Sequence, residues 1–179
     1  MSARRSFAVV SFLVAAVLPS GRPLEAGHGH VTSFRPLNSY DRSVVERVRA
    51  RAAALLDEGE CGKLLTDFKD RGGRTLESNL QPLGGSASRY LLQLSFLDGS
   101  RLPACRTLEV IMATTPGVRR VFVCPAGAGR VNSRLSRMEF ESGSVAEAMV
   151  IHEMLHTLGL GENPPSTFEI TERVRERCR

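Results

Sequence analysis

Ile151-His152-Glu153-Met154-Leu155-His156-Thr157-Leu158-Gly159-Leu160-Gly161-Glu162 is the stretch on which the reading of this chain turns. It contains His-Glu-x-x-His. On a helix, residues four apart share a face, so His152 and His156 can present two imidazoles to one metal ion. Glu153 lies about 100° round the helix from His152, an offset that suits a base for a nearby water better than a ligand.

Around that motif the pattern is helical. Residues 144 to 158 are predicted as one helix, with Ser144 and Glu147 spaced as a capping box and Gly159 placed to stop it. Val145, Ala146, Ala148, Met149, Val150, Ile151, Met154, Leu155 and Leu158 leave hardly any polar face, so this helix is expected inside the core. Buried polar groups need partners. Leaving two His and a Glu unpartnered there costs on the order of several kcal/mol, and a bound metal removes that cost.

Beyond a turn over residues 161–165, Ser166 and Glu169 open a further helix running through Ile170 and Val174 to about Cys178. Upstream, a first helix is predicted over residues 41–57. Ser43 and Glu46 form its expected capping box, Val44, Val45, Val48, Ala52, Leu55 and Leu56 its apolar stripe, and Arg42, Arg47, Arg49 and Arg51 a solvated face. Residues 63–69 suggest a short helical turn. Residues 71–88 suggest loops with a short edge strand.

Three strands are then expected, at 90–97, 108–113 and 118–123, antiparallel by virtue of their short connections. Residues 126–130 form a Gly-rich loop without the spacing of a phosphate-binding loop, and residues 131–140 are ambiguous. The class is therefore α+β: a small antiparallel or mixed sheet packed on a buried helix, with an N-terminal and a C-terminal helix.

The chain of 179 residues is 42% hydrophobic, enough for one domain with a proper core. Arg4 and Arg5 precede a run from Phe7 to Leu18 that is apolar apart from Ser11, the layout of an export signal and too short for a membrane span. Cleavage is expected near Ala26 or Ser20, giving a secreted or periplasmic product. Residues 27–40 would then be a lead-in carrying His28 and His30, a pair that composition alone does not make a metal site.

Removal of residues 1–26 takes three of 24 basic and one of 19 acidic residues, so the net charge of +5 falls to +3. That surplus does not call for nucleic acid. Cys61, Cys105, Cys124 and Cys178 are an even set that suits two disulfides in an exported chain. Of three possible connectivities, a hairpin across Thr114-Thr115-Pro116-Gly117 would bring Cys105 to Cys124 at its open end, leaving Cys61 for Cys178.

Over its last quarter the chain resembles the zincin metallopeptidases, with His-Glu-x-x-His complete at His152, Glu153 and His156. Gly159 stands where the metzincin pattern His-Glu-x-x-His-x-x-Gly-x-x-His has its turning glycine. Glu162 occupies the position of the third histidine, and no Met follows to supply a Met-turn. The resemblance implies a zincin-like fold and a zinc ion held by His152, His156 and a carboxylate, with Glu153 as general base.

Glu162 is the first candidate for that carboxylate. Glu169, Glu172 and Glu176 are alternatives on the following helix, where the gluzincin branch places its Glu. Glu169 also completes a capping box, and Glu176 sits among arginines. The expected activity is hydrolysis of peptide bonds in a peptide or protein substrate by a monomer, with residues 118–123 as the edge that takes an extended peptide. Tyr40, Tyr90 and nearby arginines are candidates by type for stabilising an oxyanion. The same ligands would also serve a secreted zinc-stabilised binding module without turnover.

Overall fold

A computed structural model describes residues 34–107, 109–127 and 132–179. The expected export signal, the first part of the expected lead-in with His28 and His30, and most of the Gly-rich stretch lie outside the described residues. The first helix, α1 (Ser39–Leu56), starts two residues before its expected position. Asn38 caps it by accepting from the backbone of Asp41, while Ser43 donates back to the Ser39 carbonyl, so the Ser43–Glu46 capping box does not form. Two short turns follow, α2 (Gly59–Gly62) and α3 (Leu64–Asp67).

Two expectations upstream of the sheet are overturned. The stretch 71–88 contains no edge strand. Lys69 and Thr75 make a single antiparallel bridge, and Thr75 caps α4 (Leu76–Leu80). The apolar run 90–97 is split between α5 (Ala87–Leu92), which Ser86 caps, and β1 (Ser95–Asp98). An apolar run this short has no decisive period, so the cap and the burial of Tyr90 and Leu91 settled its conformation.

The sheet has the order β1-β3-β2, with β2 at Met112–Thr114 and β3 at Arg120–Val123. The expected β2–β3 hairpin is present, in the register Met112 to Val123 and Thr114 to Val121. β1, however, lies parallel to β3. Its chain passes through Gly99, whose N–H extends the ladder to the Val123 carbonyl. A Cβ on Gly99 would come within 2.6 Å of Cys105 Sγ and 3.0 Å of that carbonyl, so this crossover admits only glycine. β3 is thus the central strand, and β2 is an edge.

The ambiguous segment becomes α6 (Arg134–Glu141), capped by Ser133 and joined to the start of α1 where Asp41 accepts from the Ser133 backbone. The motif helix, α7 (Gly143–Thr157), packs against α1, α6, α8, β2 and β3. Its first turn has Ser142 at the cap position with no side-chain capping bond to the backbone, and Glu147 pairs with Arg51 in place of Ser144. Arg47 and Arg51 of α1 both reach Glu139, so the expected solvated arginine face partly bridges α1 to α6 and α7. The last helix, α8 (Thr167–Arg177), keeps the Ser166–Glu169 capping box.

Both disulfides pair as expected, Cys61 to Cys178 and Cys105 to Cys124. None of the described helices is long and apolar enough to cross a membrane.

Candidate metal centre

The end of α7 is closed by a Schellman arrangement. Gly159, at φ +106°, sends its N–H to the His156 carbonyl, and Leu160 sends its own to the Leu155 carbonyl. Leu160 is thereby placed so that its carbonyl lies 2.8 Å from Nδ1 of His156. The chain then turns back, and Glu162 reaches the open side of the two imidazoles.

His152 Nε2 and His156 Nε2 are 3.0 Å apart, and Glu162 Oε1 is 3.7 Å and 3.3 Å from them respectively. Among the described residues, these three form the group able to hold a metal ion. The hydrogen bonds around them define their protonation. A carbonyl only accepts, so His156 Nδ1 carries its proton. Thr171 Oγ1 spends its own proton on the Thr167 carbonyl, so it accepts from His152 Nδ1 at 3.0 Å.

In the neutral rings both Nε2 atoms therefore present lone pairs, with a carboxylate oxygen beside them and no proton between. Burial pushes His152 down to about 4, with His156 acting in the same direction and Glu162 opposing, so a second proton on His152 does not relieve that convergence near neutrality. A cation does. Tetrahedral coordination at 2.0–2.1 Å sets donors roughly 3.3 Å apart, a spacing that the three observed distances bracket.

Glu153 is 5% exposed, and its Oε2 has no hydrogen-bond partner among the described residues. Burial raises its carboxyl above the usual carboxylate range. The Thr114 hydroxyl and His156 oppose that rise, and Glu162 adds to it. Thr114 stands opposite Val121, on the buried face of the sheet, which turns its side chain towards α7. Its Oγ1 is also buried without a hydrogen bond that meets ordinary geometry.

A cavity of about 610 Å³ opens over this group, lined by residues 109–114 together with His152, Glu153, His156 and Glu162. The edge strand beside the histidines is therefore β2. The expectation that residues 118–123 form that edge is corrected, because β3 is paired on both sides.

The alternative carboxylates lie elsewhere. Glu169 is occupied by its capping box, Glu172 by Arg175 and Glu176 by Arg173. Neither tyrosine borders the cavity: Tyr90 donates to Thr157 at 3.0 Å, and Tyr40 is exposed on α1. Four contributors had not been singled out, namely Thr114, Arg71, Thr167, whose hydroxyl donates to Glu162 at 2.8 Å, and Thr171. Only Thr167 and Thr171 carried a visible signal, two hydroxyls one turn apart on the helix after the motif. Comparison of the chain with protein-family models, with curated proteins and with solved structures returned no match.

Proposed function

We propose that this chain is an exported zinc-dependent peptidase in which His152, His156 and Glu162 hold the ion and Glu153 is the general base. The convergence of three lone-pair donors beside a buried, unpartnered carboxylate, facing an open strand edge, carries the reading. Two neutral imidazoles and one carboxylate suit zinc among the common divalent ions. When bound, zinc supplies Lewis acidity that makes water more acidic and polarises a carbonyl.

The chain's own residues do the rest. The outer edge of β2 offers backbone N–H and C=O groups to an extended peptide, laying it in the cavity that the histidines also line. Glu153 accepts a proton as the water oxygen bonds to the peptide carbonyl carbon. It returns that proton to the amine nitrogen as the C–N bond breaks. Its raised affinity for protons suits both halves of the cycle, and Thr114 lies where it can steady the carboxyl. The Thr171, Leu160 and Thr167 contacts hold the ligands in the orientation that presents their lone pairs.

Glu153→Gln tests the assignment. The variant is expected to keep one zinc per chain by metal analysis and to lose hydrolysis of a quenched-peptide library by roughly 10²-fold or more. Wild-type activity in that variant would overturn the mechanism. Stoichiometric zinc with no turnover of any peptide by the parent chain would favour the zinc-stabilised binding module.

A further inference from the structure

A second cavity of about 560 Å³ adjoins the first, and Arg71 and Pro116 line both. Charge is sorted between the two. Glu109, Glu153 and Glu162 border the first, whereas the second is bordered by Arg71, Arg74 and Arg119 with the single carboxylate Asp70.

Asp70 is already occupied. It accepts from the backbone of Gly72 and Arg74, from Arg74 Nε and from Asn79 Nδ2. Arg119 stacks over Tyr90 at 5.0 Å and donates to Gln93, and no carboxylate among the described residues pairs with it. Arg71 makes no hydrogen bond or ion pair with any described residue, although Glu162 is nearby in the same cavity.

The position of Arg71 is nevertheless determined. Its loop is closed by the Asp70–Arg74 backbone bond and tied to the end of α7 through Asn79, which donates to both Asp70 and the Leu158 carbonyl. The side chain runs along the backbone of Gly161, where a Cβ would approach Arg71 Nε to 2.9 Å. The glycine just before the candidate ligand Glu162 thus makes room for a guanidinium between the two cavities.

We propose that Arg71, with Arg119 behind it, binds a carboxylate of the substrate, so that peptides bearing an acidic group close to the scissile bond are the preferred class. This inference rests on the peptidase reading. A guanidinium with no internal partner, held at a cleft, is suited to bidentate recognition of a carboxylate. The carboxylate can belong to an Asp or Glu side chain or to the peptide's C-terminus.

The test uses matched quenched peptides that differ by Glu or Gln at single positions around the cleavage site, each with a free or an amidated C-terminus. Cleavage by the zinc-loaded chain is measured beside fluorescence-anisotropy binding to the zinc-loaded Glu153→Gln variant. The acidic member of a pair is expected to be favoured roughly tenfold, mainly through KM, with the ratio shrinking as salt rises. Arg71→Gln brings the ratio near one, and Arg71→Lys retains part of it. Preference that survives amidation assigns the carboxylate to a side chain, and preference lost on amidation assigns it to the C-terminus.

A parent chain without preference, or a ratio unmoved by Arg71→Gln, overturns the proposal, since a merely structural arginine would lower both members alike. Charge-dependent binding without turnover would sink the peptidase reading, and with it the substrate preference, and leave Arg71 as a carboxylate-binding site alone. Turnover without charge dependence would do the reverse.

Discussion

At the scale of single residues, the candidate centre depends on groups that touch the ligands. Thr171 orients His152 by accepting from its Nδ1, and no other hydrogen bond to that nitrogen is made among the described residues. Thr171→Val keeps the shape and removes the acceptor, so zinc affinity measured by competition with a chelator is expected to fall roughly 10- to 100-fold. The Asp70 carboxylate is held down to about 2 by Asn79 first, then by backbone and side-chain bonds from Arg74 and by Gly72. Its unfolded value lies near ~3.9. The carboxylate therefore stabilises the fold fully above that value, and its contribution is lost as pH falls through about 2. Acid unfolding followed by circular dichroism should begin at no higher pH in the parent chain than in a background where this carboxylate is neutral throughout, because the neutral background lacks the stabilisation at every pH. Comparing the pH slopes of the parent and Asp70→Asn over that window checks it: the variant's slope should be shallower.

At the scale of elements, α7 works because its end is tightly specified. The Leu158 carbonyl accepts from Asn79, the His156 carbonyl from Gly117 and Gly159, and Tyr90 reaches Thr157. Each bond brings a different element to the same turn: α4, the β2–β3 hairpin and α5. Gly159 is the pivot, because φ +106° is strained for any residue with a Cβ, and that Cβ would also meet Asp70 and Asn79 at 3.4 Å and 3.5 Å. Gly159→Ala is expected to destabilise by about 1–3 kcal/mol in urea unfolding. It should also weaken metal binding, since Leu160 and Glu162 follow directly. The cap at Ser166 was legible because its two hydrogen-bonding residues stand three apart in the sequence. The expected boxes at Ser43 and Ser144 carried the same spacing, and the structure passed them over: Asn38 offered a better acceptor one turn earlier, and Arg51 drew Glu147 away.

At the scale of the whole molecule, Cys61–Cys178 joins the turn after α1 to the end of α8 across 117 residues. Arg177 adds contacts to Asp67 and Glu60 beside it. Cross-linking a loop of this length restricts the unfolded chain strongly, so Cys61→Ser with Cys178→Ser is expected to cost about 3–5 kcal/mol, read as a lowered midpoint in guanidinium unfolding. The α+β class, the use of four cysteines in two disulfides, the buried motif helix and its histidines follow from the sequence alone, because each rests on local pattern: a period of 3.6, residues four apart, an even set of cysteines, with the pairing read from the expected hairpin between Cys105 and Cys124. The tertiary structure alone decided that β1 runs parallel to β3, that β2 and not β3 is the open edge, and that Arg71 stands between the two cavities. Those outcomes depend on contacts between segments distant in the chain, such as Gly99 against Cys105 and Asn79 against Leu158, whose geometry no local pattern contains. Glu162 lies between the two cases. Its spacing from the glycine turn made it the first candidate, and only the fold placed Glu169, Glu172 and Glu176 away from the histidines while bringing Glu162 to them.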